Sequence, residues 1–86
     1  METEIKILNE EGLHARPAGV FVKAASQFTS KIEVEFNGAI VNAKSIMTLM
    51  SLGLKKEDTI KIKADGTDAS EAIEALVNLV KNKFQS

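Results

Sequence analysis

Hydrophobic residues follow two different periods along the chain, and each period indicates one type of element. In three segments every second residue can face a core, which is typical of strands with one buried face. These alternating positions are Thr3, Ile5 and Ile7, then Ile32, Val34 and Phe36, and finally Ile60, Ile62 and Ala64. The dipeptide Asn37-Gly38 predicts a tight hairpin, because both residues tolerate a positive φ, and Ala39 to Ala43 would form the returning strand.

A helical period replaces the alternation from Ala15 and again after Ser45. Pro17 suits the first turn of the first helix, where a missing N–H costs nothing. The apolar face of this helix consists of Ala18, Phe21, Val22, Ala25 and Phe28. Ser45 is a good N-cap residue for a short second helix, which would end at Leu52 just before Gly53.

A third helix is predicted after Asp65-Gly66, where the chain turns. Asp68 followed by Glu71 resembles a capping box, with Asp in the Ser/Thr role. The apolar stripe of this helix is broad and consists of Ala69, Ala72, Ile73, Leu76, Val77, Val80 and Phe84. The predicted element order is therefore β-α-β-β-α-β-α.

This order predicts an α+β fold with two layers. Each strand has one apolar face and each helix one apolar stripe, so the economical solution packs the helices on one face of an antiparallel sheet. The opposite face of the sheet should be solvated. It carries Glu2, Glu4, Glu33, Glu35, Lys61 and Lys63.

Composition narrows the class of protein. The chain has 86 residues and a net charge of −1, which predicts a single domain over residues 1–86 with little room for a deep cleft. Its interspersed charges offer no basic block for nucleic acid, and no residue spacing suits a metal or a nucleotide cofactor. The first residues do not resemble a signal peptide, and no apolar run approaches the ~20 residues of a membrane helix. We therefore expect a cytoplasmic protein without a metal or cofactor, and without membrane insertion or direct nucleic-acid binding.

His14 is the only histidine, and it lies at the predicted start of the first helix. A helix N-terminus offers free backbone amides and the positive end of the helix dipole, which together suit an anion. Arg16 adds a guanidinium that can bind phosphate through two parallel N–H bonds. A neutral imidazole is a nucleophile, so this pair suits a covalent phosphohistidine. The alternative is a surface histidine beside an ordinary exposed charge.

Ser45 combines a structural role as N-cap with a possible regulatory one. A phosphate on its oxygen would meet the favourable end of the helix dipole and add up to about two negative charges. The residues that follow, Ile46, Met47 and Met50, exceed what so short a helix can bury. They are either additional core or an exposed patch whose methionines adapt to partner surfaces.

Two segments of the chain resemble the HPr family of the bacterial sugar phosphotransferase system. Residues 12–18, Gly-Leu-His-Ala-Arg-Pro-Ala, match the active-site signature of that family. Residues 42–53 match the regulatory-serine region of its Gram-positive type. The resemblance covers the whole chain, and two motifs at the proper separation make it very specific.

The resemblance implies an open-faced β-sandwich, with four antiparallel strands covered on one side by three helices. It implies that His14, assisted by Arg16, accepts a phosphoryl group on Nδ1 from phosphorylated enzyme I. The group then passes to a histidine of the enzyme II A component. Ser45 matches the serine that HPr kinase/phosphorylase modifies, and the modified form acts as corepressor for a catabolite-control transcription factor.

Direct transfer between histidines requires His14 to lie inside each transfer interface, which predicts one docking surface for successive partners. Besides His14 and Arg16, its expected members are Ala15, Pro17, Gly19, Val22, Lys23, Ile46, Met47 and Met50. Thr48 stands where many relatives have glycine, and Gly19 where threonine or alanine is common. Both departures could tune partner affinity.

Two other functions compete with a covalent phosphoryl carrier that has no turnover of its own. A pure interaction module would bind a regulator through Ser45 and the patch of Ile46, Met47 and Met50, with His14 incidental. A small hydrolase would use His14 as general base, but no Ser, Cys or second His accompanies it in its motif. Relatives that only regulate often lack the histidine, so the presence of His14 favours the carrier.

Overall fold

The computed structural model describes residues 1–84 and contains the seven elements in the predicted order. They are β1 (Glu2–Lys6), α1 (Ala15–Ala25), β2 (Lys31–Phe36), β3 (Ala39–Asn42), α2 (Ile46–Met50), β4 (Thr59–Asp65) and α3 (Ala69–Lys81). All three helices are shorter than predicted. The apolar face of α1 was expected to reach Phe28, α2 was expected to reach Leu52 and the stripe of α3 was expected to include Phe84, but all three segments end in turns.

The four strands form one antiparallel sheet in the order β1-β4-β2-β3. The Asn37-Gly38 hairpin is confirmed: both residues have positive φ, at 51° and 84°, and Phe36 pairs with Ala39 across the turn. β2 and β4 lie in the centre and β1 and β3 at the edges. The two sequence neighbours of α1 along the chain, β1 and β2, are thus separated in the sheet by β4.

Buried side chains alternate along the central strands, as the sequence predicts. Ile32 and Val34 from β2, together with Ile60 and Ile62 from β4, are almost fully buried. They form one apolar cluster with the inward faces of the helices, which include Ala18, Phe21, Leu49, Ala72, Leu76 and Val80. This packing confirms the open-faced sandwich.

The opposite face of the sheet carries charges in pairs. The ammonium of Lys63 lies 2.7 Å from a carboxylate oxygen of Glu35, and that of Lys61 lies 3.5 Å from Glu2. The hydrogen bond from Lys63 lowers the pKa of the Glu35 carboxyl. These charged side chains keep contact with solvent, as predicted for the uncovered face.

The capping box predicted at Asp68 and Glu71 is wrong. Asp68 precedes α3, but its side chain makes no cap hydrogen bond. Its carboxylate instead accepts hydrogen bonds from the backbone N–H groups of Thr29 and Ser30, each at 2.9 Å, and from both hydroxyls. These bonds, the Ser30 hydroxyl first among them, lower the pKa of Asp68 to about 2. Four donors from another segment outweigh one local cap, and they tie the start of α3 to the start of β2.

The packing of the helices brings α1 close to the segment that follows α3. α1 packs against both α2 and α3. After α3, the ring of Phe84 is buried against Phe21 of α1, with 6.4 Å between the ring centroids. Among residues 1–84, none of the helices is both long and apolar enough to cross a membrane.

Candidate functional site

A clamped loop between β1 and α1 sets the position of His14. The Asn9 side-chain amide donates to the carbonyl oxygen of Gly12, whose N–H donates back to the Asn9 carbonyl at 3.1 Å. The Leu13 N–H donates to the Leu54 carbonyl at 3.0 Å. Gly12 has φ 69°, and a Cβ there would collide with the Leu54 carbonyl and lie 2.8 Å from the Cα of Lys55. Only glycine fits this left-handed, closely packed position.

His14 occupies the N-cap position of α1, but its side chain does not cap the helix. Its backbone is extended, with φ −83° and ψ −171°, and its carbonyl accepts the Ala18 N–H at 2.9 Å. The N–H groups of Ala15 and Arg16 have no intrahelical acceptor, Pro17 has no N–H, and the first turn contains no acidic residue. The exposed imidazole therefore lies beside a helix end that attracts anions.

The His14 side chain lines a shallow cavity of about 470 Å³. The other lining residues are Asn9, Glu11, Arg16, Pro17, Val20, Lys83 and Phe84. The structure thus brings together three residues that the sequence singled out, His14, Arg16 and Pro17. Two cationic side chains and one acid line this cavity, so its charge favours an anion such as a phosphoryl group.

Several residues of this cavity were not identified from the sequence. Asn9 lies in a segment predicted only as a turn, yet its side chain is buried and its Oδ1 has no hydrogen-bond partner among residues 1–84. Lys83 and Phe84 come from the far end of the chain, where no local pattern points to a site. Their contribution depends on tertiary packing alone.

Ser45 occupies the N-cap position of α2, but the predicted cap bond is absent. Its backbone is extended, and its hydroxyl makes no cap hydrogen bond. The hydroxyl of Thr48 holds the first turn instead, because it lies 3.0 Å from the Asn42 carbonyl and 3.1 Å from the Ser45 carbonyl. α2 has only five residues, so its dipole is weaker than the sequence suggested. Thr48, which stands where many relatives have glycine, therefore has a structural role at the start of α2.

Three apolar side chains of α2 remain at the surface, which is the second of the two alternatives that the sequence left open. Met47 is 80% exposed, Met50 39% and Ile46 38%, whereas Leu49 is buried. We call Ile46, Met47 and Met50 the α2 patch. Its link to α1 is Gly19, where a Cβ would lie 3.6 Å from the Cδ1 atom of Ile46.

The remaining predicted docking residues lie on α1 and outside the cavity. Ala15 and Lys23 are exposed, whereas Val22 is half-buried and packs against the core. Val22 thus offers a partner only part of its side chain. Within residues 1–84, no cluster of three or more His, Cys, Asp or Glu side chains is placed to hold a metal ion.

Comparison with known families gives one match over nearly the whole chain. Residues 1–82 match the family model described as "PTS HPr component phosphorylation site". The match includes the loop, His14, and the three helices.

Solved structures show the same likeness. An HPr from Thermoanaerobacter tengcongensis shares 52% identity, with a TM-score of 0.95 over 98% of this chain and 94% of that chain. An HPr from Bacillus anthracis shares 42% identity, with a TM-score of 0.87 over 91% and 93%. The Bacillus subtilis catabolite repression protein Crh, solved as a swapped dimer, shares 40% identity, with a TM-score of 0.79 over 95% and 94%.

Proposed function

Because the chain belongs to the HPr family of phosphocarriers, we propose that it accepts a phosphoryl group on His14 from phosphorylated enzyme I. It then passes the group to the A component of enzyme II for sugar uptake. One observation carries this proposal: the exposed imidazole of His14 shares a cavity with Arg16 at the N-terminus of α1.

The transfer is a symmetric exchange between two imidazoles. The lone pair on His14 Nδ1 attacks phosphorus as the P–N bond to the enzyme I histidine breaks, and the electron pair of that bond stays on the leaving nitrogen. The proton on Nε2 remains on the ring, so PO3 moves without net proton transfer. Passage to enzyme II repeats the exchange, and the chain ends unchanged. It is thus a covalent intermediate without turnover of its own.

The protein's contribution is to position and neutralise the group. Phosphoryl transfer demands little covalent chemistry from the protein beyond an aligned nucleophile and compensating charge. The clamped loop from Asn9 to Gly12 fixes the backbone of His14. The Arg16 guanidinium and the free N–H groups of Ala15 and Arg16 then supply donors for the phosphoryl oxygens.

We further propose that the successive partners dock on the α2 patch and the exposed part of α1. Three apolar side chains at the surface form a small patch that suits transient contact better than a permanent interface. Lys23 and Arg16 at its edge steer acidic partner surfaces. In this role residues 1–86 act as a single HPr-like domain in the cytoplasm, where enzyme I draws the group from phosphoenolpyruvate.

Ser45 is the proposed regulatory site for HPr kinase/phosphorylase, and its phosphorylated form the proposed corepressor of a catabolite-control transcription factor. The likeness to Crh, whose name refers to catabolite repression, favours such a role. It also favours the second candidate, a regulatory interaction module that acts through Ser45 and the α2 patch. The two candidates differ in one respect, since only the carrier needs His14.

Incubation with enzyme I and radiolabelled phosphoenolpyruvate separates the candidates. The carrier takes up one acid-labile phosphoryl group, and His14→Ala takes up none while its thermal unfolding stays unchanged, because the side chain is exposed and caps nothing. Ser45→Ala is the matched control and should be labelled as fully as the wild-type chain. Label that persists in His14→Ala, or a wild-type chain that stays unlabelled, would contradict the proposal.

A further inference from the structure

The segment after α3 contributes a second cation to the His14 cavity. Lys83 and Arg16 both line the cavity, although 67 positions separate them in sequence. Within residues 1–84, Lys83 takes part in no salt bridge. Its ammonium group is thus uncommitted within that part of the chain.

The backbone that carries Lys83 is fixed rather than loose. The Lys83 N–H donates to the Val80 carbonyl at 3.0 Å, and the Phe84 N–H donates to the Leu79 carbonyl at 2.8 Å. Phe84 itself is buried against Phe21. Only the side chain of Lys83 is free to adjust, so it can follow a charge that arrives in the cavity.

Lys83 occupies a conformation in which glycine would be more stable. Its φ is 56°, in the left-handed region, and that of Phe84 is 63°. Helices commonly end with glycine at such a position, because a Cβ there is strained. The aromatic ring explains Phe84, since it fills the core, but an exposed lysine gains nothing comparable from packing. A strained residue beside a candidate site is a reason to ask what its side chain does.

The charge balance of the His14 cavity indicates a role for the Lys83 side chain. Before phosphorylation the lining of the cavity has two cations and one acid, Glu11. Phosphorylation of His14 adds one net negative charge, because the Nε2 proton stays on the ring, and the phosphoryl oxygens themselves carry about two. Arg16 supplies one compensating positive charge, and Lys83 is the other cation in the cavity lining. The positive charge of Lys83 also reaches Glu10, just outside the cavity lining, where it adds to the larger effect of the Lys56 hydrogen bond in lowering the pKa of that carboxyl.

We propose that the Lys83 ammonium pairs with the phosphoryl group on His14 and stabilises the phosphorylated state over the unphosphorylated one. This inference rests on the proposed function, because it requires that His14 be phosphorylated. The flexible stem of lysine suits the role, since the group must be held while it is carried and released when a partner histidine attacks. Lys83 is thus a further residue of the phosphoryl site, contributed by the segment that follows α3.

The test is an exchange equilibrium. ¹⁵N-labelled wild-type chain and unlabelled variant are mixed with catalytic enzyme I and limiting phosphoenolpyruvate, and intact-mass spectrometry gives the phosphorylated fraction of each. We expect Lys83→Gln and Lys83→Gly to hold roughly two- to fivefold less phosphoryl group at low salt, as for loss of one surface ion pair. The difference should shrink at high salt. Lys83→Arg should match the wild-type chain.

Two controls separate charge at the site from other effects. Lys81→Gln removes an exposed cation two residues away, at the end of α3 and outside the cavity lining, and it should exchange like the wild-type chain. Lys83→Gly should unfold at the same or a higher temperature than the wild-type chain, because glycine relieves the strain at φ 56°. A deficit in phosphorylation therefore cannot come from lost stability.

The outcomes distinguish this inference from the proposed function. If the wild-type chain is phosphorylated but both variants match it, or if Lys81→Gln shows the same deficit, the role of Lys83 is refuted and the carrier function stands. If the wild-type chain accepts no phosphoryl group, both are refuted.

Discussion

His14 and Ser45 each occupy the position just before a helix, and neither side chain caps that helix. Their surroundings differ. His14 lies in a cavity with Arg16 and Lys83 in its wall, at the start of an eleven-residue helix. Ser45 lies beside the α2 patch, at the start of a five-residue helix. The nearest cation in sequence, Lys44, is already engaged, because its ammonium donates to the Phe28 carbonyl at 2.7 Å.

Under the proposed function, this difference would let one fold use phosphate in two ways. A phosphoryl group on His14 meets donors and compensating charge, so the phosphorylated state can be held and passed on. A phosphate on Ser45 would add charge at the edge of an apolar surface with little compensation, so it would change which partners bind. The first region is suited to carry the group and the second to respond to it.

We expect the largest loss of stability from a substitution that disrupts the clamped loop before His14. Gly12→Ala puts a Cβ into the Leu54 carbonyl and against the backbone of Lys55, in a left-handed conformation. We expect it to lower the free energy of unfolding by about 3 kcal/mol or more, measured by urea denaturation.

The matched control for that change is Gly53→Ala, just after α2. Gly53 also has a positive φ, at 62°, but a Cβ there would meet no atom within 4 Å. We expect a loss of about 1 kcal/mol from conformation alone. Equal losses at both positions would show that the two regions are equally tolerant and that the loop is not clamped.

The next effect tests whether the α2 patch is a surface or part of the core. Because Met47 is 80% exposed, Met47→Asp should change the free energy of unfolding by less than about 0.5 kcal/mol. It should weaken binding to both enzyme I and the enzyme II A component by about tenfold, as calorimetry would show.

Leu49→Ala on the buried side of α2 is the control, with an expected loss of about 2–4 kcal/mol of stability. If Met47→Asp unfolds the protein, the methionine belongs to the core. If the variant folds and binds both partners normally, the shared docking surface is wrong.

The smallest effect concerns charge at Ser45. Ser45→Asp mimics part of a phosphate, and we expect it to slow transfer from enzyme I by about threefold at low salt, with a smaller effect at high salt. Ser70→Asp adds the same charge on α3, on an exposed residue outside both regions, and should leave the rate unchanged. Equal slowing by both variants would mean that net charge, rather than its place near α2, controls transfer.

The structural features that the sequence predicted correctly depend on local patterns. Alternation at Ile32 and Val34 indicated the buried face of β2, and Asn37-Gly38 indicated the hairpin, because these signals need no tertiary information. His14 and Arg16 were predicted from one short motif at the start of a helix, and the structure places both in the lining of one cavity.

Features that depend on long-range packing were missed or wrong. Lys83 reaches the cavity only because α3 packs against α1, and nothing near it in sequence says so. Asp68 was expected to cap α3, but Thr29 and Ser30 offer its carboxylate more donors than the helix does. Ser45 is a different case. It was expected to cap α2, but its hydroxyl makes no cap hydrogen bond, and the hydroxyl of Thr48, only three residues away, lies 3.1 Å from the Ser45 carbonyl.

The most direct measurement is the identity of the atom that carries the phosphorus. A ¹⁵N-labelled chain is phosphorylated with enzyme I and phosphoenolpyruvate, and long-range ¹H–¹⁵N and ³¹P-coupled spectra of the imidazole are recorded at neutral pH. The expected result is a single phosphorylated nitrogen, Nδ1 of His14, with no phosphorus on Ser45. Phosphorus on Nε2, on any other residue, or on none would contradict a carrier built around the imidazole of His14.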